Sequence, residues 1–129
     1  MKNIRVMSLI VCLGLWLAWP AAQAANAGGA TEKRCGWLEN PTPGNWWLRD
    51  RDEEWTLGVQ GGYQARGLDN MPDMTTKGWV ATNAGGHGYG CACMDVQVDR
   101  KSGNVLRLVS AQPLPIGRCK ADPKLPAPE

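Results

Sequence analysis

The chain has 129 residues, with 14 Lys and Arg against 12 Asp and Glu, one histidine, seven tryptophans and no phenylalanine. Lys2 and Arg5 lie in a leader that export would remove, and the remaining charges then balance at twelve of each sign. With neither a basic excess nor a basic run, nucleic-acid binding and attraction to anionic lipid both lose their electrostatic basis.

Residues 1–24 read as a secretory signal peptide: a basic start, an apolar run over residues 6–19, then Pro20 and an Ala22-Gln23-Ala24 cleavage site before Ala25. The apolar run is shorter than the roughly 20 residues a spanning helix needs, so no membrane anchor is expected after cleavage, and the expected location is the periplasm or the exterior. Cys12 leaves with the signal. About 105 residues remain, enough for one domain with a modest core.

Residues 25–34 are small and polar and read as a flexible leader, and residues 120–129, rich in proline, as an extended tail. The domain expected between them spans residues 35–119. Residues 46–49 and 54–60 form a hairpin pattern around the charged turn 50–53, with Trp55, Leu57 and Val59 on one buried face. Residues 67–78 contain Pro72 and no sustained period, which predicts a long surface loop, and residues 79–82 predict a short strand.

The clearest element is residues 91–99, followed by the turn 100–104 and a strand over 105–111. Placing Val98 opposite Leu106 puts Ala92, Met94, Val96 and Val98 on one face with Leu106 and Leu108 and keeps Arg107 off it. The predicted fold is all-β: one antiparallel sheet of about five strands, curled into a small barrel or sandwich.

Four cysteines, Cys35, Cys91, Cys93 and Cys119, make an even number in a small exported chain and predict two disulfides. On an extended strand Cys91 and Cys93 share a side with Cα atoms about 6.6 Å apart and parallel Cβ vectors, which disfavours joining them to each other. Two pairings remain open. The hairpin brings Cys91 toward Cys119, favouring Cys35–Cys93 with Cys91–Cys119. Metal binding through Cys91, Cys93 and His87 is an alternative, weakened by the absence of C-x₂₋₄-C spacing and by the oxidising compartment. No cofactor and no resident metal are expected.

No catalytic set stands out. His87 lies among Gly85, Gly86, Gly88 and Gly90, which lack the G-K-[ST] ending of a phosphate loop, and no G-x-S-x-G elbow is present. The acidic cluster Asp50, Asp52, Glu53 and Glu54 is interleaved with Arg49 and Arg51 and reads as a solvated, self-neutralised turn. Adjacent Trp46 and Trp47 must face opposite ways on a strand, so one of them is a candidate for stacking on a sugar ring, with Tyr63, His87 and Tyr89 completing a possible binding surface.

The motifs Cys35-Gly36-Trp37-Leu38-Glu39-Asn40-Pro41-Thr42-Pro43-Gly44-Asn45-Trp46-Trp47-Leu48, Gly58-Val59-Gln60-Gly61-Gly62-Tyr63-Gln64-Ala65 and Gly88-Tyr89-Gly90-Cys91-Ala92-Cys93 resemble a family of small exported proteobacterial proteins known only as a domain of unknown function. The likeness runs from Cys35 to about Asp122 and departs at the 67–78 loop. It implies a periplasmic or secreted location and no particular activity. The function expected is a non-enzymatic binding module for an envelope or exported protein, as an inhibitor, immunity factor or accessory protein would be. Glycan or peptidoglycan binding through an exposed Trp is the alternative.

Overall fold

The computed structural model describes residues 29–129, so the expected signal peptide and the first residues of the expected leader lie outside the described residues. Six strands form one sheet: β1 (Glu32–Asn40), β2 (Trp46–Arg49), β3 (Glu54–Gly58), β4 (Val80–Ala81), β5 (Gly88–Asp99) and β6 (Asn104–Leu114), followed by one helical turn, α1 (Ile116–Lys120). The order is β1-β2-β3-β6-β5-β4, and β1 pairs again with β5, so five strands close into a ring. The β3–β6 junction is a single parallel pair, Thr56 with Asn104. Beside it residues 64–66 fill the gap: the Ala65 amide donates to Leu57 O, and Arg66 exchanges bonds with Leu106 and Leu108. The ring therefore leaves few unpaired backbone groups where two sheet edges would otherwise face water.

Alternation along the strands sorts the side chains. Leu38, Leu48, Trp55, Leu57, Met94, Val96 and Val105 fill the interior, and Trp55 is the largest side chain buried there. Burying each such apolar side chain is worth about 1.5–3 kcal/mol. Leu68 and Met74, from two 3-10 turns at Leu68–Asn70 and Met74–Lys77, also enter this core. The 67–78 segment is thus a plug for the barrel as well as a surface loop.

Gly36 marks a close backbone crossing. A Cβ there would collide with the Arg49 carbonyl oxygen, so only glycine lets β1 pass the end of β2.

The β5–β6 hairpin forms with a different register. Val98 pairs with Val105, Val96 with Leu108, Cys93 with Gln112 and Cys91 with Leu114, and the ladder shifts twice. Leu106 and Val109 are the extra residues of two bulges. Val105 and Leu108 consequently face the core in place of Leu106 and Leu108, while Val109 stays 54% exposed. Val59, expected on the buried face of β3, is likewise 44% exposed, because the strand ends at Gly58 and residues 59–63 turn away.

Both ends of the domain extend beyond 35–119. β1 begins at Glu32, so Glu32, Lys33 and Arg34 belong to the sheet and not to a flexible leader. Residues 121–129, an arm after α1, lie back against the barrel. Among the described residues no helix is long and apolar enough to cross a membrane.

Candidate functional site

The central question is what the cysteines of β5 do. Cys91 and Cys93 point outward, opposite in face to Ala92 and Met94, which the core absorbs. Cys93 stands directly across from Cys35 in the β1–β5 ladder, and the two are joined with Cα atoms 4.1 Å apart. Cys91 is joined to Cys119 of α1, Cα atoms 5.7 Å apart. This is the pairing that the hairpin argument favours. With all four sulfurs oxidised, Cys91 and Cys93 offer no thiolate, and the metal alternative built on them with His87 is withdrawn. Two disulfides suit an oxidising, extracellular-type environment.

The Cys91–Cys119 bond anchors a second, smaller core outside the barrel wall. Trp37, Cys91 and Cys119 are buried there, with Tyr89, Leu114, Ile116 and Leu125 packed around them. Trp37 and Tyr89 meet edge to face at 5.6 Å. Between this cluster, the β1 edge and the arm runs a groove of about 760 Å³, lined by Lys33, Cys35, Cys93, Arg118, Asp122 and Leu125 among others. Cys35 is exposed in the described chain, whereas Cys91 and Cys119 are buried.

The charged wall of the groove comes from the barrel's end. Arg34 precedes Gly36 and Leu38 on the inward side of β1, and its Nη1 donates to Asp50 Oδ2 at 2.7 Å and Asp52 Oδ2 at 3.0 Å, while its Nε donates to Glu32 at 2.8 Å. The guanidinium lies 4.4 Å over the Trp55 ring. Asp50 Oδ2 also accepts the Trp55 indole N–H, and Oδ1 accepts the amides of Asp52 and Glu53. Burial works against ionisation of Asp50, but Arg34 and these N–H donors outweigh it, and the carboxyl sits below its ordinary range. Burial likewise opposes the charge on Arg34, and its three carboxylate partners hold it firmly protonated.

The 50–54 turn is therefore not simply solvated and self-neutralised: Asp50 is 6% exposed and partners Arg34. The signal available was Arg34 at an inward position of the alternating 34–40 run; assigning residues 25–34 to a leader concealed it. Arg51 pairs with Asp122 of the arm at 2.8 Å. Arg118 makes no ion pair among the described residues, which leaves a free cation beside the groove.

The five aromatic and histidine candidates do not share one face. Trp46 packs against the core and lies 6.5 Å from Trp79, whereas Trp47 faces outward between Glu39 and Thr56 and is half-buried. Tyr63 donates its hydroxyl to Val105 O at 2.6 Å, and burial pushes its pKa up. Tyr89 belongs to the Trp37 cluster. His87 Nδ1 meets Asn40 Oδ1 at 2.7 Å at the barrel's other end. Because Asn40 Nδ2 donates to both Thr42 O and Asn45 O, its Oδ1 is the acceptor and His87 carries the proton on Nδ1.

Trp37, Glu39 and Arg49 mark the strip that sequence reasoning missed, because it lies under the arm. The Trp37 indole N–H donates to Pro126 O at 2.9 Å, and the Glu129 amide to Glu39 Oε1 at 3.2 Å. Arg49 reaches Glu129 at 3.1 Å, Glu54 at 2.6 Å and Glu39 at 3.6 Å. Burial raises the Glu39 pKa despite the Glu129 amide and Arg49.

Comparison with curated proteins and with solved structures gives no match. A family model does match, over residues 29–126, which takes in β1, the barrel, both disulfides and most of the arm. On that match the chain belongs to the family described as protein of unknown function (DUF4087).

Proposed function

We propose that the protein is an exported, proteobacterial binding module that recognises a protein of the cell envelope or an exported protein, in the manner of an inhibitor, immunity or accessory protein. The observation that carries this reading is the groove between the barrel wall and the arm. Cys35–Cys93 ties the two strands of its wall together and Cys91–Cys119 ties that wall to α1, so wall and α1 are held in place before any partner arrives. A preformed concave site with an apolar floor and a few convergent charges limits the ordering cost of association. The signal sequence and the disulfides agree on an oxidising compartment.

The test is capture from a periplasmic extract on the oxidised full chain, followed by reconstitution with the purified captured protein. The expected result is a binary complex that Arg118→Glu weakens at least tenfold. A complex indifferent to Arg118→Glu, or turnover of a substrate with no partner recovered, overturns the reading. Glycan binding through aromatic stacking would rest on Trp47, since Trp46 and Tyr63 are engaged with the core.

A further inference from the structure

The arm is itself a bound peptide, and its contacts describe what the face beneath it recognises. Pro126 and Pro128 have φ fixed near −65° and lack an N–H, and the residues before them, Leu125 and Ala127, are driven to extended dihedrals. Residues 126–129 carry no regular hydrogen-bonded structure. Such a segment presents solvated carbonyls at regular intervals and loses little entropy on docking.

The barrel reads it at four points. Leu125 enters the apolar cluster of Trp37, Cys91 and Cys119. The Trp37 indole N–H takes the Pro126 carbonyl, Glu39 takes the Glu129 amide, and Arg49 takes the Glu129 carboxylate. Aromatic-lined grooves are a recurring mode for recognising proline-rich segments, and here Trp37 adds an indole donor for the Pro126 carbonyl. An adjacent arginine adds a preference for an acidic side chain.

We infer that the outer face carrying Trp37, Tyr89, Glu39 and Arg49 is a docking site for a proline-containing segment of the Leu-Pro-x-Pro-Glu type in a partner protein, and that residues 124–129 occupy it in cis. The inference rests on the reading of the chain as a binding module and names its ligand class. The arm is held upstream by the Cys91–Cys119 bond and by Arg51 with Asp122, while Pro126, Ala127 and Glu129 remain exposed. Release of residues 124–129 therefore breaks a handful of contacts and no strand pairing. A tethered ligand acts at a millimolar effective concentration, so it masks the site from dilute competitors without closing it to a tighter one.

The test uses the full oxidised chain carrying Leu125→Asp and Glu129→Ala, which weaken the arm, and a synthetic acetylated peptide of residues 122–129 as probe. Binding is read from the backbone amide resonances of β1 and β5 around Glu39 and Tyr89 in every variant and, where Trp37 is retained, also from its indole N–H resonance. The weakened chain should bind the peptide saturably and the unaltered chain at least tenfold more weakly. A peptide with all three prolines replaced by alanine should lose most of the affinity, and Trp37→Phe in the weakened chain should abolish binding. If Trp37→Phe does not fold, Arg49→Gln serves instead: it must weaken the peptide ending in Glu and leave one ending in Gln unchanged. No shift at millimolar peptide, with disulfides and sheet signal intact, refutes the inference, as does equal binding of the proline-free peptide. A captured partner that depends on Arg118 but survives excess peptide also refutes it, while leaving the binding-module reading in place.

Discussion

Removing Asp50 tests how the barrel's charged end is held together. Its carboxylate is 6% exposed and accepts four donors: Arg34 Nη1, the Trp55 indole and the amides of Asp52 and Glu53. Asp50→Ala takes from the Arg34 guanidinium its one buried carboxylate, leaving only the more exposed Glu32 and Asp52, strands the Trp55 indole N–H and opens the β2–β3 turn. Breaking a buried pair from one side costs about 3–5 kcal/mol, a large part of the 5–15 kcal/mol typical of a domain. With a urea m-value of about 1.5 kcal/mol/M, the unfolding midpoint of the oxidised protein should fall by roughly 2–3 M. Arg34→Met should cost less, about 1–3 kcal/mol, because its stem still covers Trp55 and Asp50 keeps three neutral donors. The asymmetry has a pH signature. Asp50 titrates below its ordinary value when folded, so its contribution is complete above the unfolded pKa of about 3.9 and is lost as pH falls through the folded one. Asp50→Ala should flatten that acid limb of the stability curve. A loss below about 1.5 kcal/mol, or an Arg34→Met variant costlier than Asp50→Ala, would refute the reasoning.

Two further outcomes follow from neighbouring residues. Gly36→Ala drives a methyl into the Arg49 carbonyl where two backbones cross, so it should cost at least about 2 kcal/mol in urea unfolding; a neutral effect would show that β1 and β2 can separate. Glu39→Gln should behave in the opposite sense to Asp50→Ala. Burial raises the Glu39 pKa, so its charged form is penalised fully above the folded pKa and not at all below the unfolded value of about 4.3. The Gln variant should match or exceed the parent at pH 8 and converge with it near pH 4; a loss above about 1 kcal/mol at pH 8 would show that Arg49 needs Glu39 charged.

Periodicity made much of the sheet legible. The alternation of residues 91–99 placed Ala92, Met94 and Val96 inward and both cysteines outward, and that orientation carries the disulfide pairing even though the β6 register differs. The register was not legible because a regular ladder was assumed, and nothing in Val105-Leu106-Arg107-Leu108-Val109 announces two bulges; both Leu106 and Val109 are ordinary strand residues. Arg34 and the arm were missed for a shared reason. Polar and proline-rich composition was read as absence of structure, whereas Arg34 is held by long-range partners and the arm by Trp37, contacts that local composition does not encode.

The tryptophan excess explains why an arm is needed at all. Trp55 is the tryptophan fully buried inside the five-strand ring. Trp46 and Trp79 can only sit together against the edge of that core, and Trp37, alternating with Leu38, must point out of the wall. Trp37 with Tyr89, Leu114 and Ile116 would form a contiguous apolar patch on the wall if nothing covered it, and such patches favour association. Cys119 lies far enough along the chain for α1 to reach the wall beside Cys91, and the disulfide then fixes the start of a segment that covers Trp37 with Leu125 and Pro126. The cover is extended, proline-bearing and mostly exposed, and a fixed helix would have buried Trp37 more permanently. Burial by a segment held through Leu125, one indole bond, one amide bond and one carboxylate keeps the Trp37 face available to a competing chain of the same chemistry.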